Sequence, residues 1–214
     1  HLCSVSNPQT TPNSLNCSID TTSPFVREIL PTEPSACTND NNNAYHLNKC
    51  NATTKGIRIT INGLYFIPLT NSTTANVTVG GMHCPHDSWT NTEIICTPAE
   101  PTRVGENLNV KVCTNNGKCT FQKPTQKLLS YRPPSIRSIA ASSWTTKGGV
   151  PTTIHGSDFG PASAVVSLLK LGSLAFTSVV HVDENTITAV TPPLNGTNDL
   201  KISTVLLIIG GQRG

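Results

Sequence analysis

Charge is scarce in this 214-residue chain: Asp, Glu, Lys and Arg make up 13% of it, and aromatic residues only 5%. The net charge of +3 is scattered without a basic run, which excludes the electrostatic footprint of a nucleic-acid binder. No apolar stretch approaches the ~20 residues of a membrane helix. The longest, Val205–Ile209, has the length of a strand, so no direct membrane insertion is expected. The single methionine, Met82, is internal, and the chain opens at His1 without a signal peptide, as a processed or partial product would. Motifs of catalysis are missing too. No Gly-Lys-Ser/Thr follows Gly148-Gly149, and Asp158-Phe159-Gly160 lacks every companion of the kinase magnesium motif. No Ser/His/Asp set or carboxylate pair has a spacing that suggests chemistry. The reading is a non-enzymatic protein with no catalytic residues, cofactor or metal.

What is abundant is cysteine, hydroxyl and amide. Eight cysteines fall in four local couples, Cys3/Cys17, Cys37/Cys50, Cys84/Cys96 and Cys113/Cys119. An even count with short spacings points to disulfides in an oxidising compartment. The clearest couple brackets Cys113-Thr-Asn-Asn-Gly-Lys-Cys119, where an Asn-Gly turn folds two extended arms together. A zinc site needs clustered CxxC-type pairs, and none is present. In His83-Cys84-Pro85-His86-Asp87, Cys84 is better explained as the partner of Cys96, which leaves two loop histidines. Five sequons occur, at Asn16, Asn51, Asn71, Asn76 and Asn195. Twenty asparagines among so many Ser and Thr residues would produce nearly that number by chance, so their placement counts for more than their number. Asn51, Asn71 and Asn195 sit in stretches that read as loops, where a glycan acceptor must lie.

The chain also repeats itself. Gly56-Ile-Arg-Ile-Thr-Ile-Asn-Gly63-Leu-Tyr-Phe66 returns ninety-three positions later as Gly149-Val-Pro-Thr-Thr-Ile-His-Gly156-Ser-Asp-Phe159. Thr97-Pro98 matches Thr191-Pro192, and upstream Pro24, Val26, Arg27 and Ile29 match Pro134, Ile136, Arg137 and Ile139. A period near ninety suits a pair of small sandwich domains rather than a solenoid. Short β-branched segments between turn signals give an all-β rhythm. Ile57, Ile59 and Ile61 alternate onto one buried face, and residues 93–96, 108–112 and 128–131 read as further strands. Copy two offers 152–154, 164–169, 186–190 and 200–207. Gly63 and Gly156 fall where the chain bends out of a strand, with Phe66 and Phe159 plugging the core just beyond, and Trp89 and Trp144 are expected over the sandwich ends.

The boundary falls at Arg132-Pro133-Pro134, a stiff joint because each proline fixes its own φ and restrains its predecessor. The expected division is an extended segment over 1–23, a first domain over 24–132 and a second over 133–214. The first copy carries about seventeen additional residues, at about 31–55, around the Cys37/Cys50 couple. They read as a disulfide-stapled loop, with a contact loop as the other reading.

These motifs resemble the IPT/TIG family, an immunoglobulin-like (E-set) sandwich found in plexin-type receptors, other cell-surface proteins, transcription factors and some polysaccharide-acting enzymes. Copy one carries the pattern at Ile29, Gly56, Gly63, Phe66, Gly80-Gly81, Cys84, Cys96 and Thr97-Pro98; copy two at Pro134, Ile136, Ile139, Gly148-Gly149, Gly156, Phe159, Thr191-Pro192 and Gly210-Gly211-Gln212. Copy two lacks the cysteine couple, with Ala189 near the place of Cys96. The resemblance implies an all-β chain of two tandem sandwiches. It implies no single function, because a fold hosts many.

Set against the first copy, the second lacks a last strand, while the leading segment overlays a closing strand. Strand donation between units would join them head to tail through Leu15 and Ile19 on one side and Val205, Leu207 and Ile209 on the other. On this reading the protein is a secreted or cell-surface glycoprotein that assembles into a fibre or array. Its partners are copies of itself or neighbouring domains of the same polypeptide, together with covalent glycans. The alternative is a piece of a receptor or adhesion ectodomain, where the tandem is a rod for recognition. An accessory module of a carbohydrate-active enzyme is a third class.

Overall fold

In a computed structural model, residues 2–4, 16–18, 23–39, 47–53, 55–66, 75–100, 103–120, 129–143, 145–194 and 204–214 are described, the first two stretches, Asn39 and Asn48 as backbone alone. Among the described residues the regular structure is all strand, linked by turns, bends and irregular segments, with no helix. The leading strands β1 (Leu2–Ser4) and β2 (Asn16–Ser18) pair with each other, antiparallel, with the Cys3 and Cys17 backbones directly opposite.

The first sandwich contains β3 (Phe25–Pro31), β4 (Thr38–Asn39), β5 (Leu47–Cys50), β6 (Ile59–Leu64), β7 (Asn76–Val79), β8 (Met82–His83), β9 (His86–Trp89), β10 (Glu93–Cys96), β11 (Val110–Cys113) and β12 (Leu129–Tyr131). One sheet has the order β3-β6-β10-β9; facing strands run β11-β7-β8 and β12-β5-β4. The second sandwich contains β13 (Ser135–Ala141), β14 (Pro151–Ser157), β15 (Val166–Leu171), β16 (Leu174–Ala175), β17 (Thr177–Asp183), β18 (Thr186–Val190), β19 (Val205–Ile209) and β20 (Gln212–Arg213). Its sheets run β13-β14-β18-β17 and β16-β15-β19-β20.

Register makes the repeat concrete. Ile61 is flanked by Ile29 and Ile94, and Ile154 by Ile139 and Ile187. Alternation places Ile57, Ile59 and Ile61 inside, as the sequence pattern requires, together with Val77, Val79, Val110 and Val112 from the facing strands. Phe66 and Phe159 are both fully buried.

Four expectations change in the folded chain. Gly63 and Gly156 are the next-to-last residues of β6 and β14, still paired with the adjacent strands β3 and β13. A Cβ at either would collide with a carbonyl of the adjacent strand (Phe25 or Ser135) and with the ring of Phe66 or Phe159. Close approach, not a bend, selects glycine there. Second, the added residues of copy one are more than a staple. They supply β5, which pairs in parallel with β12, and bury Leu47, Cys50 and Ala52. Third, β9 and β17 are edge strands that the sequence reading does not contain; β9 is polar, and β17 shifts register twice against β18. Fourth, β15 runs later than expected, and the strand β19 is Val205–Ile209, opening after Thr204.

Candidate functional site: the junction of the two sandwiches

The sites expected from sequence are spread widely. Disulfides join Cys37 to Cys50, Cys84 to Cys96 and Cys113 to Cys119; the side chains of Cys3 and Cys17 lie outside the described residues. Among the sequons, Asn76 is exposed at the start of β7, while Asn51 is half-buried with its Oδ1 enclosed and unbonded among the described residues. Asn71, Asn195 and the side chain of Asn16 lie outside the described residues, as do Leu15, Ile19 and Trp144. Trp89 sits on β9, where its Nε1 donates to the Phe66 carbonyl at 3.1 Å and its ring meets His86 edge-on. No group of three or more metal-ligating side chains occurs among the described residues.

The assembly residues of the C-terminal strand need correction. Leu207 and Ile209 are buried in the core of their own domain, and Val205 is half-buried. Strand β19 is paired along its length by β15 and, at Ile208 and Ile209, by β20 after the Gly210-Gly211 turn; Gly214 N donates to Leu207 O at 2.9 Å. The strand pictured as an adhesive edge is therefore an inner strand. The leading segment, pictured as a donor, shows β1 paired with β2.

The side chains that do converge belong to the joint. Domain 1 ends in β12, whose last residue, Tyr131, takes its N–H to Gly105 O at 2.9 Å. The Gln212 amide reaches back from domain 2 to this pair: Gly105 N donates to its Oε1 at 3.1 Å, and its Nε2 donates to Tyr131 O at 2.8 Å. Gln212 is itself only 8% exposed. One buried amide thus satisfies a donor and an acceptor of the other domain, a geometry that a carboxylate or a shorter side chain does not reproduce.

Beside this clip Val104, 8% exposed, enters domain 2 as a knob. A Cβ on Gly160 would overlap one Val104 methyl, and one on Gly210 would sit 2.7 Å from the other. Both glycines hold positive φ (+77° and +56°), so their presence suits the turn as well as the contact. Two further contacts span the joint: Ser163 Oγ to Glu100 Oε2 at 2.8 Å, and Ala52 N to Asp158 Oδ1 at 3.4 Å. Arg132 is tied back to domain 1 through its N–H to Cys50 O and its Nε to Lys49 O, while Pro134 is buried. The Tyr131 phenol is enclosed, its OH without a partner among the described residues, and burial pushes its ionisation well above the usual range despite the Arg103 charge.

This architecture has a family. The IPT/TIG domain profile matches residues 43–131 and again residues 134–211, more than half of the chain. The chain belongs to the IPT/TIG family. The first match opens inside the added residues, although β3 already belongs to the first sandwich. In the second IPT/TIG domain the Cys84–Cys96 pair is replaced: register sets Phe176 opposite Leu169 as Cys84 is set to Val77, and Ala189 opposite Thr152 as Cys96 is to Ile59. Two solved structures are similar in part. One is the full extracellular region of plexin A4, domains 1 to 8: 16% identity, 90% of this chain, 17% of that chain, TM-score 0.34. The other is the same region, domains 1 to 10: 18% identity, 72% of this chain, 13% of that chain, TM-score 0.30. The chain spans less than a fifth of either. No curated protein matches it.

Among the described residues, the polar side chains of the junction, Gln212, Ser163, Glu100 and Asp158, bond across it. What it can do is fix an angle.

Proposed function

We propose that this IPT/TIG tandem is a stiff, non-enzymatic segment of an extracellular or cell-surface recognition protein, of the receptor or adhesion kind. The observation that carries the reading is the Gln212 amide, buried and bonded to Gly105 and Tyr131 of the other domain. A flexible linker would need no such clip, and most inter-domain contacts within a chain are loose enough for relative motion. Three disulfides support an oxidising compartment. The exposed Asn76 sequon supports a glycosylated surface. A fibre built by strand donation has less support, since Leu207, Ile208 and Ile209 on the far side of β19 are already bonded to residues 212–214.

The test has two arms. NMR relaxation on the secreted, disulfide-bonded protein should give both sandwiches one common tumbling time, and two independent times would refute the stiff segment. Probing a panel of secreted and cell-surface ectodomains with the tandem should give saturable binding to at least one; binding to none, with free thiols in the natural product, would refute the extracellular recognition role.

A further inference from the structure

Three disulfides with described side chains differ in how a thiol could reach them. Cys84 and Cys96 are both 0% exposed, and Cys37 and Cys50 are 6% and 0% exposed. Cys113 and Cys119 are both part-exposed. They also face each other where the chain after β11 turns back, joined by an antiparallel backbone bridge, and close the shortest of the three loops, with a separation of 6 residues against 12 and 13. Exchange requires a thiolate to attack one sulfur in line with the bond, so access decides which disulfide reacts in the native state. Charge helps at the same place. Lys111, exposed, shares the outward face of β11 with Cys113 because Val112 between them points inward, and Lys118 adjoins Cys119. Cations beside a sulfur stabilise the thiolate that leaves.

The arms are held by bonds besides the disulfide. Thr120 N donates to Val112 O at 2.8 Å, and Val112 N donates to Thr120 Oγ1 at 3.1 Å. Thr114 N donates to Lys118 O at 2.8 Å, and the Asn116 side-chain oxygen accepts from Lys118 N at 3.2 Å. Val110 and Val112 stay in the core whether or not the sulfurs are joined, since β11 pairs with β7 over its whole length. The disulfide is therefore separable from the fold in a way that the two buried ones are not.

We propose that Cys113–Cys119 is a thiol–disulfide exchange site, reducible in the folded protein by an extracellular dithiol reductant. A thiolate of the reductant attacks one of the two sulfurs, the Cys113–Cys119 bond breaks, and a mixed disulfide forms. The second thiol of the reductant resolves it, so the reductant leaves as a disulfide and the protein keeps two thiols. The device loosens the tip at residues 114–118 while the sandwich remains folded. This inference stands apart from the recognition role.

The full chain would be treated with dithiothreitol at neutral pH without denaturant, quenched with an alkylating agent at intervals, and read by peptide mass spectrometry. Cys113 and Cys119 should label at least about tenfold faster than Cys37, Cys50, Cys84 and Cys96, while circular dichroism keeps its folded signal. A C113S/C119S double variant should remain folded and leave the slow rates unchanged. Labelling of all six cysteines at one rate would overturn the proposal, as would labelling of Cys113 and Cys119 only once the folded signal is lost. Failure of the double variant to fold would overturn the claim that the bond is separable from the fold.

Discussion

Tyr131 shows how one side chain can serve packing and carry a penalty together. Its ring is buried at the end of β12, yet its OH finds no partner among the described residues. An unpaired buried hydroxyl is unfavourable by about 1–3 kcal/mol, so Tyr131→Phe should be neutral or stabilising at pH 7, measured by urea denaturation. The pH dependence follows from burial, which raises the folded-state ionisation above the unfolded value. Stability is then fully present below about pH 10, the unfolded phenol value, and falls as pH rises above it, at up to about 1.4 kcal/mol per unit. Tyr131→Phe should remove that part of the alkaline slope; an unchanged slope would show that the phenol does not cause it. Gln212 is the opposite case, a buried polar group that is fully used. Gln212→Ala strands Gly105 N–H and Tyr131 C=O, and a loss of about 1–3 kcal/mol is expected in thermal or urea unfolding. Gln212→Glu should fail to rescue, because a carboxylate cannot donate to Tyr131 O.

At the scale of elements, the two copies solve one problem with different chemistry. Domain 1 ties the end of β10 to the residue after β8 with Cys84–Cys96, across a separation of 12 residues. Domain 2 places Phe176 and Ala189, both buried, at the equivalent positions. Removing the disulfide by Cys84→Ala with Cys96→Ala should cost about 2–4 kcal/mol. Truncating the aromatic by Phe176→Ala should cost about 3–5 kcal/mol. Differential unfolding, followed by hydrogen exchange of β10 and β18 separately, would show each loss confined to its own sandwich. The strands themselves were legible to different degrees. β6 and β11 declare their inward faces by strict alternation, and β18 stands between Asn185 and Thr191 where the repeat puts it. β9 does not, because His86-Asp-Ser-Trp89 is an edge strand with little buried area to impose a pattern. β5 escapes for another reason: its partner, β12, lies about eighty residues away and runs parallel, and no local signal announces such pairing.

For the whole molecule, the proposed role turns on the angle between the sandwiches. The two prolines at 133–134 limit the joint, but the Val104 knob and the Gln212 clip select one arrangement. Gly160→Val should be the sharper disruption, since its side chain would claim the space of Val104 and Gly160 also holds φ at +77°. Small-angle scattering should show a wider spread of overall dimensions for that variant and for Val104→Asp, with each sandwich still folded. Unchanged scattering curves would mean that the proline joint alone sets the angle.

Composition, alternation and the ninety-three-residue echo settled that this is an all-β chain of two tandem sandwiches, and the resemblance of its motifs named the IPT/TIG family that the profile match then showed. Each of those signals is written within a few residues or in plain self-similarity. Tertiary structure decided the rest. It turned the added residues of copy one into a core strand and made β19 an inner strand instead of an adhesive edge. It also brought Gln212 to Tyr131 and Gly105 across separations of 81 and 107 positions. Contacts that distant depend on how two separately folded cores meet, and only the assembled surfaces contain that information.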